Sequence, residues 1–309
     1  MSTPTHEITA VLIPCLNEEK TIGAVVRDFK KELPNAQIFV FDNASTDKTS
    51  EVARAAGATV IYSAKRGKGN VVRHMFSTVQ ADIYILVDGD STYPASAVHD
   101  LLRMFKETAS DMVVGTRLKT HKKQSFRSFH IFGNRLVATL IATFFRVPIT
   151  DVLSGYRVFS NHLVKTLPLT SQGFEIETEL TLNTVTKGYK ITEVPISYGE
   201  RPEGSFSKLN TYTDGFLVLK AIFMIFKDHK PLLFFSAISL VFAILSLAAG
   251  FLPIRDYYQF QYVYHVPLAI LAAGFGILSV IVLSIGLILD TVRKYQRENF
   301  ELFRKLLSR

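Results

Sequence analysis

The chain predicts an α/β fold: a mostly parallel sheet domain followed by a hairpin of two transmembrane helices. Three observations carry this expectation. Through about the first 115 residues, short apolar runs rich in β-branched residues alternate with stretches of helical spacing, the pattern of right-handed crossovers in a sheet covered on both faces. Four of these runs stop abruptly in polar clusters, as strands do where open sheets bind ligands. Beyond Pro231 come two long apolar stretches of bilayer-spanning length.

Taken in order, Ile8–Ile13 reads as the first strand, and Ile22, Val25, Val26 and Phe29 mark one face of the helix after it. Ile38–Phe41 is a second strand ending in Asp42, and Ser45, Thr46 and Asp47 open an alanine-rich helix with plausible caps. Thr59–Tyr62 and Ile83–Val87 are further strands, with a helix from about Gly69 to Val79 between them, and Met112–Val114 is a fifth. No Gly-x-Gly-x-x-Gly follows the first strand and no Walker loop is present, so hydride transfer and P-loop chemistry lose their main support.

The strand Ile83–Val87 runs straight into Asp88-Gly89-Asp90. Asp-Gly is a common hairpin signal, but Ser91-Thr92-Tyr93-Pro94 reads as a loop and helix start rather than a returning strand. Two carboxylates at the end of a parallel strand offer hard oxygen ligands for Mg²⁺ or Mn²⁺, ions that carry diphosphates. The other clusters are Pro14-Cys15-Leu16-Asn17-Glu18-Glu19, Asp42-Asn43-Ala44-Ser45 and Lys65-Arg66-Gly67-Lys68-Gly69-Asn70. Singly these are a cap, an Asx turn and a solvated basic loop. Four on one sheet edge look like a nucleotide pocket.

Composition bounds the rest. The 309 residues are 20% charged with a net charge of +8 and a mean hydropathy of +0.21, apolar for a soluble protein and suited to anionic partners. The single cysteine, Cys15, excludes an internal disulfide. The region 116–210 is less regular: it holds Arg117, Phe132–Arg135, Asp151–Arg157 and three glutamates, Glu175, Glu177 and Glu179, that suit a helix N-terminus. Arg201–Lys208 reads as a solvated turn or as an anion clamp. Residues 211–230 suit an amphipathic helix at a bilayer surface. Pro231–Pro253 and His265–Leu289 are the spans, joined by a tyrosine-rich link around Arg255–Tyr264. Cations flank the outer ends, among them Lys227, Lys230, Arg293 and Lys294, so the N-terminal domain and the tail are expected on the cytoplasmic side of the inner membrane. The cations cluster beside membrane segments and in phosphate-type loops, which argues against nucleic acid. Ala272, Ala273, Gly274, Gly276 and Gly286 would permit close packing in a homo-oligomer. The expected divisions are 1–210, 211–230, 231–290 and a basic tail, 291–309.

Together, Pro14–Glu19, Asp42–Asp47, Gly67–Asn70 and Asp88-Gly89-Asp90 resemble glycosyltransferase family 2 on a GT-A fold. Asp151–Phe159 and the Arg201–Lys208 loop resemble, within it, the polyprenyl-phosphate glycosyltransferases. The resemblance implies that Pro14, Leu16, Asn17, Glu18, Asp42, Asn43, Lys68, Asp88 and Gly89 bind the nucleotide-sugar. It implies that Asp88 and Asp90 hold Mg²⁺ or Mn²⁺, that Asp90 and Asp151 are catalytic, and that Arg117, Arg201, Ser207 and Lys208 grip the acceptor phosphate. Where several relatives carry a metal-holding Gln, this chain has Thr92. The expected reaction is inverting transfer from a UDP-hexose to undecaprenyl phosphate, with a GDP-mannose donor or a non-catalytic membrane scaffold as alternatives. A processive polysaccharide synthase is set aside, since it would need a Gln-x-x-Arg-Trp motif and the chain has no tryptophan.

Overall fold

The computed structural model describes residues 7–117, 138–139, 142–143, 147–173, 175–199, 223, 227 and 230–307. The chain divides into two compact units, 1–221 and 222–309. Arg201, Ser207, Lys208, Phe132–Arg135 and nearly all of the surface-helix stretch 211–230 lie outside the described residues.

The first unit is built on a seven-stranded sheet in the order β3-β2-β1-β4-β6-β5-β7. Its strands are β1 (Thr9–Cys15), β2 (Gln37–Asp42), β3 (Thr59–Tyr62), β4 (Ile83–Leu86), β5 (Met112–Thr116), β6 (Arg157–Ser160) and β7 (Ile191–Pro195). Strands β1 to β4 pair in parallel, as do β5 and β7, while β6 runs antiparallel between β4 and β5. The helices are α1 (Ile22–Glu32), α2 (Thr49–Ala55), α3 (Lys68–Thr78), α4 (Val98–Thr108), α5 (Asn161–Thr166) and α6 (Ile176–Thr186). Period-two alternation in β1 sends Val11 and Ile13 into one apolar layer with Ile22, Val26 and Phe29 of α1. Burying one such side chain contributes about 1.5–3 kcal/mol. All five expected strands form, with ends shifted by up to two residues. The sequence reading did not separate out β6 and β7, which are short and stand in the irregular middle.

The second unit contains α7 (Pro231–Phe260) and α8 (Val266–Leu307), both long and apolar enough to cross a membrane. Ser239 and Ser279 donate hydroxyls to each other's backbone carbonyls, both at 2.9 Å, and Ser246 Oγ donates to the Ala272 carbonyl at 2.8 Å. Cross-helix bonds of this kind suit an apolar medium. Gly286 closes against Phe235 and Gly276 against Ser246, so these small residues serve the hairpin itself. The expected link is shorter than the sequence suggested. With no glycine or proline after Pro253, the helix runs through Arg255 and stops where Gln261 turns left-handed (φ 53°). Nor is the basic tail a separate piece, because α8 continues through it to Leu307.

Candidate active site

Parallel pairing brings the ends of β1, β2, β3 and β4 to one edge. Strand β6 enters from that edge, so residues 151–156 arrive where β5 leaves with Arg117. Strand order reverses between β1 and β4, and at this switch point, where open sheets bind ligands, Pro14–Leu16 meets Asp88–Asp90. A side chain at Gly89 would come within 2.6 Å of Cys15 Sγ, so only glycine lets the two loops pass.

The outer loops are tied to one another. Asn17 Oδ1 accepts from the Thr46 N–H at 2.8 Å, and the backbone N–H groups of Asn17 and Glu18 donate to Ser45 Oγ (2.9 Å) and Thr49 Oγ1 (2.8 Å). Asp42 accepts from the Ser45 N–H at 2.9 Å and from Ser50 Oγ at 2.6 Å, which ties the turn after β2 to α2. Asn43 Nδ2 donates to the carbonyls of Ser63 and Lys65 at 3.0 and 2.7 Å, and its Oδ1 accepts from the Gly67 N–H at 2.8 Å. The buried Asn43 amide is thus engaged inside the protein, fixing the basic glycine loop.

That loop is neither solvated nor slack. Gly67 has φ 116°, and a Cβ there would collide with the Gln172 carbonyl. The N–H groups of Gly69 and Asn70 donate to the carbonyls of Gly173 (3.0 Å) and Gln172 (3.2 Å). Lys68 then points inward, its Nζ 2.5 Å from Asp88 Oδ1 and 2.6 Å from Glu177 Oε1. Burial works against this ammonium, but the charges of Asp88 and Glu177 outweigh it and hold the Lys68 pKa above its ordinary value. Asp90 is buried, and its Oδ1 accepts from Thr92 Oγ1 at 2.6 Å and from the Thr92 N–H at 3.2 Å. Thr92 therefore orients Asp90 from behind. Asp88 and Asp90 suit a hard divalent cation. Among the described residues no group of three or more His, Cys, Asp and Glu could hold one, so the remaining ligands would be diphosphate oxygens and water.

Across the site, Arg117 grips Asp151 with both ends of its fork: Nε to Oδ2 and Nη2 to Oδ1, each 2.9 Å, with the Arg117 N–H adding 3.0 Å to Oδ2. Burial opposes the Arg117 charge, while Tyr93 and Asp151 raise its pKa overall. The guanidinium carbon also lies 5.6 Å from the centre of the Tyr198 ring. Behind the loop, fully buried Arg157 donates to the carbonyls of Val152 (2.6 Å) and Ser154 (2.8 Å) and to Thr181 Oγ1 (2.9 Å), fixing its shape. Tyr93 OH accepts from the Gly155 N–H at 2.9 Å.

The sequence reading missed Glu177 as a site residue. Its signal was the spacing: Glu177 and Glu179 stand two apart on a helix, so they project to different faces. Glu179 accepts from the N–H groups of Thr170 (2.8 Å) and Ser171 (2.9 Å), and Glu177 turns inward. Gly155 was missed too. A Cβ at Gly155 would collide with Asp88 Oδ2, the oxygen beside the one that Lys68 holds. Gly155→Ala is expected to push the Asp88 carboxylate out of this position, a displacement that a crystal structure of the variant would show.

Comparison with known proteins agrees with this architecture. Residues 10–167 match the family model described as glycosyl transferase family 2. The chain is 31% identical to glycosyltransferase AglJ of Haloferax volcanii over 98% of its own length and 99% of that protein. It is 28% identical to a dolichyl-phosphate hexose transferase of the same organism, over 74% of this chain and 99% of that one. A solved structure with the same fold is glucosyl-3-phosphoglycerate synthase from Mycobacterium tuberculosis in complex with Mn²⁺, UDP and glucosyl-3-phosphoglycerate. It has a TM-score of 0.59 and 21% identity, covering 72% of this chain and 80% of that one. With a parallel edge of carboxylates at the switch point and a match along its whole length, the chain is a glycosyltransferase and belongs to glycosyltransferase family 2.

Proposed function

We propose that the chain transfers a hexose, glucose or N-acetylglucosamine, from its UDP donor to polyprenyl phosphate at the cytoplasmic face of the inner membrane, with inversion and with Mg²⁺ or Mn²⁺. The observation that carries this reading is the union, in one chain, of the Asp88–Asp90 turn at the switch point with two helices of bilayer length. The dolichyl-phosphate hexose transferase relative supports a lipid phosphate as acceptor. Residues 1–210 form the catalytic part, 211–230 lie at the bilayer surface, 231–290 cross it, and 291–309 return to the cytoplasmic side with the cations that favour this orientation.

In this reading Pro14–Glu18, Asp42 and Asn43 shape the base and ribose end of the pocket, with Lys68 and Gly89 beside the diphosphate. Asp88 and Asp90 hold the cation, which when bound neutralises charge on the departing diphosphate. Arg117, with Arg201, Ser207 and Lys208, binds the acceptor phosphate. A phosphate monoester with a second pKa of about 6 is largely dianionic at neutral pH, so this nucleophile needs no base. Asp151 has an orienting role, since both of its oxygens accept from Arg117. Displacement at the anomeric carbon gives a β-linked product from an α-linked donor.

The test is label transfer from UDP- and GDP-sugars to undecaprenyl phosphate by the detergent-purified protein. Label from a UDP-hexose, removed by EDTA, is the expected result. Label from GDP-mannose alone would correct the donor, and nucleotide binding without any transfer would favour a scaffold.

A further inference from the structure

Glu177 belongs to no motif that led to the site, yet it completes the charge arrangement around Asp88. It sits in the first turn of α6, and its side chain is 5% exposed. Oε1 takes the Lys68 ammonium at 2.6 Å, while Oε2 is buried and, among the described residues, has no hydrogen-bond partner. A buried carboxylate oxygen without a donor is costly. Its place in the fold is rigid on both sides. The Gly67–Asn70 loop is bonded to residues 172–173 just ahead of α6, and Thr181, one turn after Glu177, receives Arg157 Nη1 at 2.9 Å. Lys68 is therefore suspended between two carboxylates, one of which has an oxygen in reserve.

We infer that Glu177 is a positioning residue that lets Lys68 act as an exchangeable counterion for Asp88. Without a divalent cation, the ammonium neutralises Asp88 and fixes its direction. When Asp88 turns to a cation, Lys68 gives up Oδ1 and transfers its donors to Glu177, whose Oε2 is available to accept them. This inference rests on the metal reading proposed above. It has a distinctive consequence. Lys68 competes with the cation for Asp88, whereas Glu177 assists the cation by drawing Lys68 away, so neutralising these two residues shifts cation affinity in opposite directions.

The experiment is a titration of Mn²⁺ followed by electron paramagnetic resonance of the free ion, on full-length protein in detergent, with and without UDP. In the absence of UDP, Lys68→Met is expected to bind Mn²⁺ about tenfold more tightly than wild type and Glu177→Gln about tenfold more weakly, within the usual range of couplings between two sites. If both variants hold Mn²⁺ as the wild type does while Asp90→Ala loses it, the cation site stands and the exchange is refuted. Tighter binding in Glu177→Gln would refute it equally. If no protein takes up Mn²⁺ even with UDP, the metal reading itself fails, and the exchange with it. Glu177→Gln keeps the side-chain shape, so it decides the matter alone should Lys68→Met fail to fold.

Discussion

Asp90→Ala is expected to lower kcat/KM for sugar transfer by about three orders of magnitude, which corresponds to about 4 kcal/mol of lost transition-state stabilisation. The size follows from where Asp90 stands. It is 4% exposed, at the switch point of the sheet, and its orientation is fixed by two donors from Thr92. In the proposed reading Asp88 already holds the same cation, so it cannot stand in for Asp90. A graded counterpart strengthens the test. Thr92→Val keeps volume and removes the 2.6 Å hydroxyl bond, and its expected effect is a loss of about 10–100-fold in Mn²⁺ affinity, as for other supports behind a ligand. Transfer assays with Mn²⁺ varied would separate the two: added cation should restore Thr92→Val and leave Asp90→Ala inactive.

Arg117→Met is expected to destabilise the first unit by about 3–5 kcal/mol, the usual result of removing one member of a buried pair. Asp151 is 1% exposed and would lose both guanidinium bonds, keeping the backbone N–H of residue 117. Urea unfolding followed by circular dichroism measures the loss, and a second substitution, Asp151→Leu, should return much of it. Asp151→Asn separates stability from chemistry. If Asp151 orients and does not take a proton, its pH–rate profile keeps its shape and loses only height. A missing acidic limb, the fall in rate as the carboxylate takes up a proton, would identify Asp151 as the base.

The parallel half of the fold was legible because its signals are local. Ile38–Phe41 and Ile83–Val87 are apolar runs stopped by aspartate, and the α1 face repeats at helical spacing. Most of the edge residues were legible for the same reason: each follows its own strand. Glu177 was not, because its meaning depends on Lys68, more than a hundred residues earlier, and acidic residues opening a helix have a sufficient local explanation. Asn43 was legible as a turn residue, but its bonds to Ser63 and to Lys65 and Gly67 of the basic loop come from a crossover that spacing does not specify. The antiparallel β6 escaped because Arg157–Ser160 holds only two apolar residues, too few to mark a strand. The hairpin was legible in length and not in its ends, since apolar composition marks where charged residues begin and the helices continue past that point.

The Arg117–Asp151 pair has one more consequence. The chain leaves the sheet after Thr116 and re-enters it at Arg157, and on the way Arg117 is bonded to Asp151, 34 residues later in sequence. Thr150, next to this pair, is held in turn by Glu193. Lengthening a segment whose ends are already joined costs little, about 0.6 kcal/mol for each doubling. A residue inserted between these two bonded points is therefore expected to leave the pairing of β5 with β6 in register.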